Sequence, residues 1–315
     1  MSSTAAMEKS ETPSPASGDA PSAASASTPE TPSGKGAKDE NFPVGSFLLP
    51  KRLRPHVATF YAFARAIDDI ADNGALPLGE RKQRLLDFDD ALNGDHADDA
   101  GFAKAHALRA SMIETSVPTI HGSDLIAAFV QDCEKLRYDS WEELLGYCAL
   151  SANPVGRYLL DLHGEDPAGY RYSDALCTVL QITNHLQDCG DDKRALDRVY
   201  VVRDWLREAG GDIDLIDERE TKPALRQTMD RMLDGCETLM VDARQLPAAL
   251  ESRHLAMESA VIVRLAERLI AILRKGDPLA ARVALTKIDF ARAGAFGAVA
   301  GFFAAGSMAR RGGAA

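Results

Sequence analysis

The chain has 315 residues, enough for one large domain or two small ones, and its 45% hydrophobic and 26% charged residues mark a globular protein with a sizeable core. A formal net charge of −11 excludes a nucleic-acid backbone as the main partner and suits a protein that recruits cations locally. The five cysteines (Cys133, Cys148, Cys177, Cys189, Cys236) are odd in number and show no C-x-x-C spacing, which favours reduced thiols in a cytoplasmic compartment over disulfides or zinc.

Residues 1–39 consist mainly of Ser, Ala, Thr, Pro and Gly, with almost no large apolar side chains. Such a segment buries too little surface to offset the entropy of ordering, so a disordered tail is expected. It has no apolar run after a basic start, which argues against a secretory signal, and its lack of arginine counts against a transit peptide.

From residue 48 onward the apolar residues recur with helical period and strand-like alternation is hard to find. Leu53, Val57, Phe60, Tyr61, Ala64 and Ile67 form one stripe, with Pro55 tolerable only in a first turn. Further helices are predicted over 79–93, 101–115, 123–136, 140–163, 173–195, 220–246, 253–275 and 279–309, separated by glycine and proline punctuation. Pro154 falls inside the 140–163 run, where an interior proline costs about 3 kcal/mol. It marks either a helix boundary near Asn153 or a kink that opens a cavity, with Ser151 and Asn153 satisfying the freed backbone groups. No repeat and no second domain boundary is visible. The expectation is therefore an all-α single domain over 40–289, followed by an apolar C-terminal helix and tail over 290–315.

That last segment is apolar from Phe290 to Met308 apart from Arg292, but is built mainly from Ala and Gly. A packed terminal helix or a peripheral membrane contact fits it better than a crossing. Gly297-x-x-x-Gly301 is a weak signal of close helix packing, and no dinucleotide fingerprint is present.

Two short acidic signatures carry the chemistry. Asp68-Asp69-Ile70-Ala71-Asp72 ends a strongly apolar helix, and Asp188-Cys189-Gly190-Asp191-Asp192 lies near the end of another. In each, carboxylates four residues apart share a helical face, and like charges so placed destabilise the helix. Asp87, Asp89, Asp90, Asp95, Asp98 and Asp99 read instead as solvated face or loop. If the two signatures face each other, hard divalent cations can join them, and Mg²⁺ prefers a few carboxylates with water and phosphate oxygens. Unit charges 4 Å apart interact by about 4 kcal/mol at an effective dielectric near 20, so unaided carboxylates repel a diphosphate strongly. Cations reverse that sign and stabilise the departing diphosphate. Asp188 has acidic neighbours at both Asp191 and Asp192, and spacing does not choose between them.

Adjoining turns add to the picture. Arg65 and Tyr61 precede Asp69 on its face, and Gln181 and Asn184 precede Asp188. Lys193, Arg194 and Arg198 follow the second cluster and are placed to grip phosphate oxygens, a surface salt bridge being the ordinary alternative for each.

From about residue 41 to 288 the chain resembles the squalene and phytoene synthase family of head-to-head prenyltransferases. The matching words are Tyr61-Ala62-Phe63-Ala64-Arg65-Ala66-Ile67-Asp68-Asp69-Ile70-Ala71-Asp72, Tyr147-Cys148, Gln181-Ile182-Thr183-Asn184-His185-Leu186-Gln187-Asp188 and Arg198-Val199-Tyr200. The resemblance implies an isoprenoid-synthase helical fold, Mg²⁺, and a long apolar pocket for C15 prenyl chains. It implies Mg²⁺ ligation by Asp68, Asp69, Asp72, Asp188 and Asp192, with Asn184 as a further ligand, and diphosphate contacts from Arg65, Lys193 and Arg198. Tyr61, Tyr147 and Tyr200 would face a carbocation, where a ring or phenol oxygen stabilises positive charge. Gln181 and Asn153 would place a terminating water.

Three features lean towards one branch of the family. Asn41-Phe42-Pro43-Val44 replaces a serine-containing motif of many relatives, which puts Phe42 among the substrate-binding candidates. Ser151-Ala152-Asn153-Pro154-Val155-Gly156-Arg157 replaces an alanine- and glycine-rich continuation, and Gln187 stands where phytoene synthases show arginine. The branch is that of bacterial hopanoid biosynthesis, which ionises presqualene diphosphate, rearranges the cation and ends with water to give hydroxysqualene. It would imply transient contact with a partner synthase and a desaturase of the pathway, and a cytoplasmic enzyme peripheral on the membrane's inner face. No NADPH motif is recognisable, in keeping with water rather than hydride as terminator. Val201-Val202 departs from the Leu-Pro or Ile-Pro of relatives and leaves the local turn open. The alternatives are condensation of two prenyl diphosphates to presqualene diphosphate or phytoene, and a non-catalytic helical partner of a prenyl-transfer complex.

Overall fold

The computed structural model describes residues 48–97 and 99–308; among these, every regular element is helical and one parallel bridge, Arg137 with Val199, is the sole β contact. The expected tail over 1–39, the run Asn41 to Val44 with its candidate Phe42, Asp98, and residues 309–315 lie outside the described residues.

Four helices form the first half: α1 (Arg54–Ala71), α2 (Leu78–Asn93), α3 (Ala103–Thr115) and α4 (Ile120–Glu134). α1 begins with Pro55 in its first turn, where a missing N–H is harmless. Its Phe60, Phe63, Ile67 and Ile70 recur every three or four residues and are buried, as α1 packs against α2, α3 and α4. Tyr61, Arg65, Asp68, Asp69 and Asp72 fall on the other side of the helix and are half-buried. One apolar stripe thus anchors α1 while it holds its acidic face away from the core.

α5 (Trp141–Ser151) and α6 (Asn153–His163) link this half to the next, each packing on α4 and on α7 (Tyr170–Leu196). The Ser140 hydroxyl caps α5 by accepting the Glu143 N–H. The run predicted as one helix over 140–163 is two, broken at Ala152, with Pro154 in the first turn of α6. Pro154 therefore marks a boundary, not a kink. Ser151 Oγ is buried without a hydrogen-bond partner and Asn153 Oδ1 accepts from Thr178, so neither side chain caps freed backbone.

The second half is built on α7, which packs against α9 (Pro223–Ala243) and α11 (Arg253–Leu273); α8 (Arg203–Glu208) and α10 (Leu246–Ala249) are short connectors. α7 ends at Asp197, whose left-handed φ of 52° is held by an ion pair from Arg137 Nη2 at 2.6 Å. α12 (Lys287–Ala304) lies along α11. Its expected start at 279 is not observed. Residues 279–286 are non-helical because Gln187 Nε2 donates to the Val283 carbonyl at 2.6 Å and the Asp277 carboxylate takes the Leu279 and Ala280 N–H groups. The helix begins instead at a capping box formed by Thr286 and Asp289. A Cβ at Gly297 would lie 2.7 Å from Val261 Cα, so the glycine permits α12 to approach the α11 backbone. Among the described residues no helix is long and apolar enough to cross a membrane, and the five cysteines are free thiols.

Candidate active site

The two acidic faces differ in how their charge is met. On α1 the Arg65 guanidinium donates to Asp68 Oδ2 at 2.6 Å and to Asp69 Oδ1 at 3.2 Å. Asp72, one turn on, takes Arg198 Nη1 at 2.7 Å. Arg198 follows α7, so this pair ties the end of the α1 acidic face to the segment beyond the α7 acidic face. On α7, Gln181, Asn184, His185, Asp188 and Asp192 recur every three or four residues and are half-buried. Burial, and then the neighbouring Asp192, push the Asp188 carboxyl above its usual value, while Arg282 from the 279–286 segment opposes them. Asp191 is exposed and paired with Arg194 at 2.6 Å, whereas Asp192 lies 3.8 Å from His185 Nδ1.

Every candidate metal ligand offers oxygen, the hard donor set that suits Mg²⁺ and not a softer metal. Five aspartates meet three guanidiniums (Arg65, Arg198, Arg282), so the acidic faces retain negative charge that an incoming diphosphate would meet. The residues fit a divalent cation. Among the described residues, the one tight trio of carboxylate and imidazole ligand atoms, all within 4.8 Å, is Asp87 and Asp90 of α2 with His96 beyond its end, not the five aspartates.

Beside the acidic faces lies a buried polar knot centred on Asp132 of α4, which is 3% exposed. Tyr147 Oη donates to Asp132 Oδ2 at 2.7 Å and Tyr200 Oη donates to Oδ1 at 3.3 Å. The Tyr200 ring stacks on His185 at 3.5 Å between centroids and on Tyr138 at 5.5 Å, with Tyr147 tilted 5.4 Å from it. Gln181 Nε2 meets His185 Nε2 at 3.0 Å. Burial raises the Asp132 carboxyl, with Arg198 opposing that rise. Burial acts against the Arg198 charge, yet Asp132, Tyr200 and Asp72 hold its guanidinium above the ordinary value. Burial, followed by Tyr200 and Asp132 for Tyr147 and by Asp132 for Tyr200, pushes both phenols well above the ordinary tyrosine value, so they stay protonated at neutral pH. Both O–H groups point at the one carboxylate, which fixes the orientation of the two rings.

The segment that follows Arg198 is set by backbone pairing. Val199 N donates to Leu136 O at 2.9 Å and Arg203 N to Tyr138 O at 3.0 Å, with Val201 and Val202 buried between them. The two valines thus hold the turn without a proline.

The sequence candidates distribute unevenly around this arrangement. Tyr61, Arg65, Asp68, Asp69 and Asp72 share one side of α1, and Gln181, Asn184, Asp188 and Asp192 share one side of α7. Tyr147, Tyr200 and Arg198 converge on Asp132. Asn153 is buried against Thr178 at 3.0 Å, and Lys193 is bonded to Asp217 at 2.8 Å. Asp132, Tyr138, His185 and Arg282 were not candidates from sequence. His185 lies inside a matching motif, and Asp132 stands in an ordinary mixed stretch, Phe129 to Lys135; Tyr138 and Arg282 carry no signal, since only the tertiary fold places them.

Comparison with known proteins bears on this geometry. The family model for squalene/phytoene synthase matches residues 36–289. A hydroxysqualene synthase of Rhodopseudomonas palustris is 41% identical over 270 residues, covering 86% of this chain and 91% of that protein. A hydroxysqualene synthase of Zymomonas mobilis is 39% identical over 259 residues, covering 82% and 86%. The crystal structure of squalene synthase HpnC from Alicyclobacillus acidocaldarius superposes with a TM-score of 0.66 at 33% identity, over 74% of this chain and 87% of that one. With its all-helical fold and its two aspartate faces, the chain belongs to the squalene/phytoene synthase family.

Proposed function

We propose that this enzyme is a hydroxysqualene synthase, which converts presqualene diphosphate and water to hydroxysqualene and diphosphate. The observation that carries the reading is the 41% identity to a hydroxysqualene synthase across nearly its whole length, against 30% for a 15-cis-phytoene synthase. The substrate's C–O bond breaks with its electron pair leaving on the diphosphate. The cyclopropylcarbinyl cation rearranges, and water adds its oxygen and loses a proton.

Asp68, Asp69, Asp72, Asp188 and Asp192, with Asn184 beside them, would hold Mg²⁺. When bound, Mg²⁺ supplies positive charge that stabilises the departing diphosphate. Arg65 and Arg198 add fixed positive charge at the acidic face of α1, and Arg282 does so at Asp188. Lys193 reaches the diphosphate only by leaving Asp217. Tyr61, Tyr147 and Tyr200 would line the path of the cation. Asp132 is the positioning residue for two of them: by accepting both phenol O–H groups it fixes how their rings and oxygens are held. Gln181, fixed on His185, and Asn153 remain the candidates to hold the attacking water. The prenyl arms of the substrate make peripheral contact with the inner face of the cytoplasmic membrane the natural route of delivery. A synthase that supplies the diphosphate and a desaturase or reductase that consumes the alcohol would be transient partners.

The test compares purified protein given presqualene diphosphate with protein given farnesyl diphosphate, both with Mg²⁺ and no NADPH. A C30 alcohol from the first and no condensation in the second are expected. Condensation of farnesyl diphosphate with presqualene diphosphate left untouched would assign the condensing activity instead.

A further inference from the structure

We propose that the outward face of α12 is a docking surface for an anionic lipid membrane. Ala293, Gly297 and Gly301 recur every four residues and are buried, with the two glycines set against the Ala256–Val261 stretch of α11. On the opposite side of the same helix stand Ile288, Phe296, Val299 and Phe303, which are 63%, 65%, 59% and 75% exposed. Ordinary surface helices turn polar residues outward; this one packs through alanine and glycine and presents its large aliphatic and aromatic side chains outward. Phenylalanine in this position matches the acyl boundary of a bilayer, and a helix that cannot cross a membrane can still lie along it.

Charge selects the occupant. After Asp289 the sequence carries Arg292, Arg310 and Arg311 and no acidic side chain, whereas the chain as a whole carries −11. Arg292 lies in the exposed row itself, and the Arg253 guanidinium sits 4.8 Å from the Phe302 ring centroid at its edge. An apolar row bordered by arginine fits anionic headgroups over acyl chains. A second copy of the chain would bring two positive strips together across a two-fold axis. Asp289 is already engaged, capping α12 and pairing with Arg268 at 2.7 Å.

The proposal deepens the peripheral contact inferred above and names its surface. Its test uses no substrate, so a wrong assignment of the reaction leaves it standing. The full chain is sedimented with vesicles of phosphatidylcholine alone and with vesicles containing phosphatidylglycerol. At least tenfold tighter binding to the anionic vesicles is expected, with a tenfold loss in the Phe296→Glu/Phe303→Glu double variant and an intermediate loss in Arg292→Glu. Both phenylalanines are exposed, so the double variant should keep its helicity in far-UV circular dichroism. Equal binding by the double variant, or no preference for anionic vesicles, overturns the proposal. So does a wild-type dimer in sedimentation velocity that the double variant breaks, because a second copy would then be the occupant.

Discussion

Arg198 joins the two halves of the site: it is bonded to Asp72 of α1 and held by the field of Asp132 of α4, yet it follows α7. A lysine there would keep the charge but lose the planar fork. Arg198→Lys is therefore expected to raise KM for the diphosphate and lower kcat together in steady-state kinetics. In the proposed mechanism Asp132 acts at one remove from the chemistry, through the Tyr147 and Tyr200 phenols that donate to it. Asp132→Asn keeps the volume but gives the knot an N–H donor where it needs an acceptor. A fall in kcat on the order of 10²-fold with little change in KM is expected. The loss should vanish in a Tyr147→Phe/Tyr200→Phe background; an equal loss there would show that Asp132 does not work through the phenols. Asp68→Ala and Asp188→Ala should each abolish turnover with far-UV circular dichroism unchanged, and retained activity in both would refute the metal role of the aspartates.

At the scale of elements, α12 depends on two local devices. Gly297→Val would drive side-chain atoms into the α11 backbone, where nothing can yield, at a cost of about 1–3 kcal/mol. Faster hydrogen exchange over α12 with α7 unaffected would report its release. The capping box gives a pH dependence. The Thr286 hydroxyl and N–H, with Arg268, hold the Asp289 carboxyl down to about 2 from an ordinary 3.8. A depressed carboxyl stabilises the folded state above its ordinary value, and that contribution is lost as pH falls through 4 towards 2. Acidification should therefore loosen the start of α12, and Thr286→Ala should loosen it at neutral pH. The helices themselves were legible because their apolar residues keep a 3.6-residue period, as along α1. The start of α12 was not, since Gln187 and Asp277 hold residues 279–286 out of the helix from far away in sequence. α8, with six residues, is too short for a period to show.

For the whole molecule, the aspartate faces were legible because carboxylates at i and i+4 under an apolar stripe conflict with helix stability unless something binds them. What surrounds them was only half legible. Tyr147 and Tyr200 stood in recognisable words, but the carboxylate that orients them comes from α4, and no local pattern foretells that convergence. Cation binding by the faces, as proposed, carries a consequence for stability. With Mg²⁺ at 100 times its Kd the folded state gains about 2.7 kcal/mol, so the melting temperature should rise by roughly 5 °C or more, and a chelator should reverse it. The most direct measurement of the reaction itself is isotopic. Purified protein is incubated with presqualene diphosphate, Mg²⁺ and no NADPH in ¹⁸O-labelled water, and the products are weighed by mass spectrometry. A C30 alcohol carrying the heavy oxygen, released with one equivalent of diphosphate, is expected; an unlabelled alcohol, or presqualene diphosphate left unconsumed, would contradict the proposed reaction.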